Sequence, residues 1–181
     1  MTGSTLNMHY TIADPKTFGI SEYEPVLPIY HSGQPEDSKE HCSDLLHRLD
    51  RIDPDRLSPE NAYTYRLLHR SLENDLALAD FPYYNEPLSP SSGMQSQLPV
   101  LLAEYTFRTK RDVTDYLALL DQIDDYFASL LLYEQEKAAA GFFMPACSSE
   151  KVRKQCDTIV TTEELAQGTH FLQTTFEDRL S

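Results

Sequence analysis

Residues 91–145, SSGMQSQLPVLLAEYTFRTKRDVTDYLALLDQIDDYFASLLLYEQEKAAAGFFMP, decide the fold of this chain. Apolar residues recur there at spacings of three and four: Val113, Tyr116, Leu117, Leu120, Ile123, Tyr126, Phe127, Leu130 and Leu131. That spacing is typical of helices that bury one stripe of side chains. Thr109 and Asp112 predict a capping-box start. A break is expected near Gln122, and Gly141 predicts a left-handed helix end.

Size and charge restrict the class of protein. The chain has 181 residues, of which 40% are hydrophobic and 24% charged, and this composition is typical of a globular domain with a core. Its formal charge of -14 argues against nucleic acid and anionic membranes as partners, because an acidic surface repels polyanions. No stretch approaches the roughly 20 apolar residues that span a bilayer. The start, MTGSTLNMHY, lacks the features of a signal peptide, which indicates a cytoplasmic chain unless the true N-terminus is missing.

The N-terminal part, residues 1–33, is predicted to be an extended arm. Over residues 5–12 the apolar side chains alternate, which predicts a short strand with one apolar face made of Leu6, Met8, Tyr10 and Ile12. A second extended piece at residues 26–30 contains Pro28, so it is expected to pair only at a sheet edge.

The remainder is predicted to be helical, which makes the chain a single all-α domain: an irregular array of about six to seven helices. Residues 34–80 predict a helical hairpin whose second helix is capped by Ser58, with a stripe formed by Cys42, Leu45, Leu46 and Leu49. Residues 81–92 form a Pro-rich connector, and residues 93–181 form a helical array.

Three local expectations refine the array at residues 93–181. Pro99 is placed in the first turn of a short helix over residues 95–105, where no intrahelical N–H is lost. Ser148 or Ser149 is expected to cap a later helix. Thr161 and Gly168 are expected to begin and end a shorter one.

Candidate chemistry is sparse. The six histidines form no HxxxH, HxH or HExxH pattern, and the three cysteines form no CxxC pair, so no zinc site is predicted. Adjacent acids, such as Glu134 with Glu136, are interpreted as the solvated face of a helix. Glu104 follows a run of apolar residues, which predicts a buried acid paired with Arg108 at the i,i+4 spacing.

Aromatic residues of the connector offer a weaker candidate. Tyr83 and Tyr84 lie close to Glu86 in sequence and are suited to lining a groove; packing of their rings under the Pro-rich connector is the alternative.

Several motifs resemble one family in their order and spacing. They are Gly93-x-Gln95-x-x-Leu98-Pro99, Asp112-Val113-x-x-Tyr116-Leu117 and Glu136-Lys137-x-x-x-Gly141, and the order of the longer stretches at residues 6–20, 85–120 and 126–145 contributes to the resemblance. Over nearly its whole length the chain resembles the N-terminal half of the bacterial domain of unknown function 885 family. The resemblance implies an all-helical protein similar to zinc peptidases, whose metal motif, of the type H-E-x-x-P-G-H, lies in a C-terminal half.

The resemblance implies that this chain is the N-terminal portion of a longer protein and that it lacks zinc and catalytic residues of its own. It would form a scaffold and one wall of a substrate groove, for which Tyr83, Tyr84, Gln95 and Glu104 are the candidates. Its expected partner is the C-terminal half, or a second copy of the chain bound through the same exposed apolar face. Many relatives look exported or lipid-anchored, which leaves the compartment open. The alternative function is a self-contained acidic helical binding module, which would have a closed polar surface.

Overall fold

A computed structural model describes residues 5–12, 14–30 and 34–180 of the chain, and every regular element in these ranges is helical. The all-α class is therefore confirmed. Two short 3-10 helices cover Pro15–Phe18 and Pro54–Arg56. The α-helices are α1 (Thr5–Thr11), α2 (Gln34–Leu49), α3 (Pro59–Leu78), α4 (Met94–Ala103), α5 (Lys110–Leu120), α6 (Ile123–Ala139), α7 (Ala146–Ile159), α8 (Thr162–Gln167) and α9 (Phe171–Leu180).

The strand predicted at residues 5–12 is wrong, because these residues form α1. The buried side chains of this segment are those of Leu6, Met8, His9 and Ile12. Leu6 and His9 are three apart, and Met8 and Ile12 are four apart, so all four fit one face of a helix. Tyr10, which a strand would place beside Leu6 and Met8, is 40% exposed. A helix also pairs its own backbone groups, whereas a lone strand needs a partner.

Residues 20–30 have no regular secondary structure, and side chains of the following helices bind their backbone. Gln122, at the N-terminus of α6, donates to the carbonyl oxygen of Pro25 at 2.8 Å and accepts from the N–H of Leu27 at 3.0 Å. The Ser129 hydroxyl accepts from the N–H of Tyr30 at 3.1 Å. The edge pairing expected for residues 26–30 is therefore wrong, and these side chains supply the hydrogen bonds instead.

The chain divides into two compact units, one made of His31–Asn85 and the other of Met1–Tyr30 together with Glu86–Ser181. In the first unit α2 and α3 pack against each other around buried Cys42, Leu49 and Leu72. The expectation that Cys42 is a small core residue is confirmed. The Ser58 hydroxyl accepts from the N–H of Asn61 at 3.3 Å, which confirms the predicted N-cap of α3.

The core of the second unit joins α4, α5 and α6. Nine buried residues form it: Leu6, Leu27, Leu98, Leu102, Tyr105, Tyr116, Leu119, Tyr126 and Leu130. The predicted capping box of Thr109 and Asp112 is present, α5 ends at Leu120 just before the expected break, and Gly141 has a φ of 88°.

Three details of the predicted array are wrong. Leu117 and Leu131 were assigned to the buried stripe, yet they are 48% and 59% exposed. Because α4 begins at Met94, Pro99 lies inside the helix and not in its first turn. Because α7 begins at Ala146, neither Ser148 nor Ser149 is its N-cap.

The Thr161 N-cap of α8 and its left-handed end at Gly168 are confirmed.

Substitutions at two leucines of this array test the packing directly. Leu119 is fully buried, so Leu119→Ala should lower the free energy of unfolding by about 2–5 kcal/mol through lost burial and a residual cavity. Leu131→Ala, the matched control on an exposed leucine, should change it by about 0.5 kcal/mol or less. Urea denaturation followed by circular dichroism measures both values. Equal losses in the two variants would contradict the observed burial of the stripe.

Candidate functional site

Gln95, one of the four predicted groove residues, is 1% exposed and lies in the first turn of α4. Its amide nitrogen donates to the carbonyl oxygen of Ser89 at 2.7 Å and to the side-chain oxygen of Gln155 at 2.9 Å. Gln155, on α7, in turn donates to the carbonyl oxygen of Pro90 at 2.9 Å. The two amides therefore hold the Pro-rich connector against α4 and α7.

Gly93 is required by this network because the chain passes very close to it. A Cβ atom at residue 93 would lie 2.0 Å from the side-chain oxygen of Gln95 and 2.2 Å from the backbone nitrogen of Ser89. Any other residue would have to displace the connector. Gly93 and Gln95 therefore act together: the absence of a side chain at Gly93 leaves space for the Gln95 amide.

Glu104 is exposed at the C-terminus of α4, so its expected burial is wrong. Residues 105–109 are not helical, and for this reason Glu104 and Arg108 do not have the i,i+4 geometry of a helical ion pair. Tyr83 is half-buried and Tyr84 is 71% exposed, and both belong to the compact unit His31–Asn85. The Tyr84 ring packs edge-on against Phe81 with 5.2 Å between ring centroids.

The most unusual chemical grouping lies on the buried side of α6. Lys137 is 3% exposed, and its Nζ atom is 2.7 Å from Oε2 of Glu86 and 4.0 Å from Oε2 of Glu134. Glu134 is 7% exposed. Its interpretation as part of the solvated face is therefore wrong. We call Glu86, Glu134 and Lys137 the buried charge cluster.

Two carboxyl groups share one ammonium in the buried charge cluster. Both oxygens of Glu134 and Oε1 of Glu86 are buried and lack a hydrogen-bond donor in the described part of the chain. Ionised carboxylates only accept hydrogen bonds, so two ionised acids cannot bond to each other. Burial raises the pKa of Glu134 above its ordinary value of 4.5; the Lys137 ammonium opposes this rise and the nearby Glu86 carboxylate adds to it. A shift in this direction favours retention of the Glu134 proton.

The sequence contained a signal for this cluster that the analysis of adjacent acids missed. Tyr126, Leu130, Tyr133 and Lys137 are spaced by three or four residues, and Glu134 follows Leu130 by four, so all five lie along the buried side of α6. Their helical positions thus predict burial for Glu134 and Lys137. Glu86 could not be found in this way, because it comes from a segment far away in the sequence.

His9 forms a second grouping of titratable residues. Its ring stacks on Tyr105 with 3.7 Å between centroids, and Nδ1 lies 3.8 Å from an oxygen of Asp112. Burial lowers the pKa of His9, Arg108 lowers it further, and Asp112 opposes the shift. The stacking of this ring on Tyr105 fixes α1 on the core.

A groove of about 400 Å³ nearby is lined by Lys16, Arg108 and Arg111 together with Asp14 and Asp112. The guanidinium of Arg111 already donates to the carbonyl oxygen of Tyr23 at 2.8 Å, and its Nε atom is 3.5 Å from Asp115. Asp14 and Asp112 in the groove, together with Asp115 next to Arg111, balance the positive charges of its basic residues.

Within residues 5–12, 14–30 and 34–180, no group of three or more His, Cys, Asp or Glu side chains is placed to hold a metal ion. No helix in these ranges is both long enough and apolar enough to cross a membrane.

Comparison with known proteins identifies one family. A family model described as “Bacterial protein of unknown function (DUF885)” matches residues 16–180. This match confirms the family inferred from the motifs, and it includes every residue of the buried charge cluster. No curated protein and no solved structure matches the chain.

Lys137→Met tests the ion pair of the buried charge cluster. Removal of the ammonium leaves buried carboxylate oxygens without a counter-ion, and we expect the free energy of unfolding to fall by about 3 kcal/mol. The estimate is at the lower end of the usual range because the Glu86 side chain is 34% exposed. Lys151→Met, on an exposed lysine of α7, should change stability by about 0.5 kcal/mol or less. A similar small change in Lys137→Met would contradict the pairing.

Glu134→Gln tests the retained proton. The native state holds this proton more tightly than the unfolded chain, so the stabilisation is fully present below pH 4.5 and decreases as the pH rises through the native pKa. Glutamine mimics the neutral acid and cannot ionise, so the variant should lack this decrease. Urea denaturation of both proteins at a series of pH values from acidic to mildly alkaline gives the difference. A difference that stays constant with pH would show that Glu134 does not hold the proton.

Proposed function

This chain belongs to the DUF885 family of bacterial proteins, and from that premise we propose that it is the helical scaffold of a longer protein similar to zinc peptidases. In this proposal the scaffold forms one wall of the substrate groove, and the metal and the catalytic residues come from a C-terminal half. The sequence contains no H-E-x-x-P-G-H motif, so no residue of this chain is proposed as a metal ligand.

The proposal is supported by the internal contacts that the motif residues make. Glu86 and Lys137 pair with each other, and Gln95 donates both to the connector backbone and to Gln155 on α7. Gly93 makes room for Gln95. A group that binds or activates a substrate must face it, whereas these polar groups face one another. Their arrangement favours a role in holding helices in place.

Of the four predicted groove residues, the exposed ones are Tyr84 and Glu104. Tyr84, in the unit His31–Asn85, and Glu104, in the other unit, each keep the role of a candidate substrate contact in the proposal, and half-buried Tyr83 stays a candidate beside Tyr84. Gln95 is assigned to the scaffold, since both of its donor hydrogen bonds are internal.

The proposal is tested with the 181-residue chain and a separately produced C-terminal half of a longer family member that carries the metal motif. After dialysis against zinc, we expect no stoichiometric metal and no hydrolysis of fluorescent casein by the chain alone. Mixing the two halves should produce hydrolysis that neither half shows alone. A zinc endopeptidase assayed in parallel shows that the assay works.

Two results would overturn the scaffold role. One is tight zinc binding with turnover by the 181-residue chain. The other is a C-terminal half whose activity is the same with and without the chain.

A further inference from the structure

Part of the solvent-facing side of α6 is apolar, although this helix buries two charged residues on its other side. Leu131 and Leu132 are 59% and 60% exposed, while Glu134 and Lys137 are buried. The apolar surface continues past the left-handed Gly141 to Phe142 and Phe143, which are 45% and 60% exposed. We call the following exposed residues the α6 outer face: Ala128, Leu131, Leu132, Ala138, Ala139, Phe142 and Phe143.

The α6 outer face has the length and the surface shape of a helix-binding site. The spacing of Ala128, Leu131, Leu132 and Ala139 places them along one side of the helix. At 1.5 Å per residue, the helical part of the face from Ala128 to Ala139 extends about 16 Å, which is enough for about three turns of a second helix. Large leucines next to small alanines provide the ridges and grooves into which another helix packs. Exposed Gln135 and Glu136 lie among these apolar side chains, and exposed apolar side chains with polar residues beside them typically mark an interaction site.

The charges around the α6 outer face indicate the chemistry of its partner. The exposed charged residues between positions 121 and 144 are all acidic: Asp121, Asp124, Asp125 and Glu136. Lys137, the only basic residue of this interval, is 3% exposed and paired. A second copy of the chain would bring the same acids together and add its own charge of -14, which disfavours self-association through this face.

We propose that the α6 outer face binds a basic amphipathic helix, whose apolar side covers Leu131, Leu132, Phe142 and Phe143 and whose lysines or arginines lie against Asp124, Asp125 and Glu136. The inference goes beyond the scaffold role, because it names the surface and the chemistry of the partner helix, whereas the proposed function assigns no docking surface to particular residues. Either proposal can fail while the other stands.

Synthetic peptides provide the probes. The first has about 18 residues, with leucine at spacings of three and four and lysine elsewhere, and forms a helix of about 27 Å. A scrambled peptide of identical composition keeps the charge and loses the apolar face. A third peptide replaces each lysine with glutamate. Fluorescence anisotropy with the 181-residue chain should show that the first peptide binds at least about tenfold more tightly than the scrambled one, a difference of about 1.4 kcal/mol. The glutamate peptide should not bind, and added salt should weaken the first complex.

The double variant Leu131→Gln with Leu132→Gln locates the binding surface without changing the charge. We expect it to bind the first peptide at least about tenfold more weakly than the unmodified chain and to keep the same urea midpoint, since both leucines are exposed. The matched control, Leu165→Gln with Leu180→Gln, changes two exposed leucines on α8 and α9 and should bind as the unmodified chain does.

Three results would overturn the inference. Equal affinity for the first and scrambled peptides would show that charge alone drives binding. Undiminished binding by the Leu131→Gln, Leu132→Gln variant would place the partner elsewhere. A dimer in analytical ultracentrifugation that this variant dissociates would show that the face binds a second copy of the chain.

Discussion

The buried ammonium of Lys137 is the constraint on which the arrangement of the second compact unit depends. A charge that is 3% exposed must be paired, and Glu86 supplies the partner at 2.7 Å from a segment 51 residues away. This pair fixes Glu86 of the Pro-rich connector on α6. The amides of Gln95 and Gln155 then fix the rest of the connector on α4 and α7. With α4 positioned, Leu98 and Leu102 complete the core.

Local signals were sufficient to predict most helix ends, because capping chemistry is encoded within a few residues. Ser58, Thr109, Gly141 and Gly168 each begin or end a helix where the sequence indicated. The first helix could not be predicted in this way, since Leu6, Met8 and Ile12 fit an alternating pattern as well as a helical one over so short a stretch. What decided between them was the absence of a partner strand in the described ranges, together with the docking of His9 on Tyr105.

The candidate site was much less predictable, because it depends on contacts between distant segments. Glu134 and Glu136 are close together in the sequence and have the same side chain. Their positions on the helix nevertheless leave Glu134 buried and Glu136 exposed to solvent. Burial of a carboxyl also requires a partner, and Glu86 becomes one only through the path of the connector. Gln95 was predicted to line a groove because of its motif. Its amide instead donates hydrogen bonds to Ser89 and Gln155, which hold the connector in place.

The buried charged pair and the exposed leucines of α6 bear on both the scaffold and the proposed partner. A helix that served only its own unit would be at least as stable with leucines inside and the charged pair outside, since well-packed apolar residues often equal or exceed a buried ion pair in stability. Burying one leucine contributes about 1.5–3 kcal/mol, and this contribution is largely absent at Leu131 and Leu132 in the chain by itself. A partner that covers the α6 outer face would recover it. The paired charges fix how α6 lies in its own unit, and the exposed leucines remain available to a second protein surface.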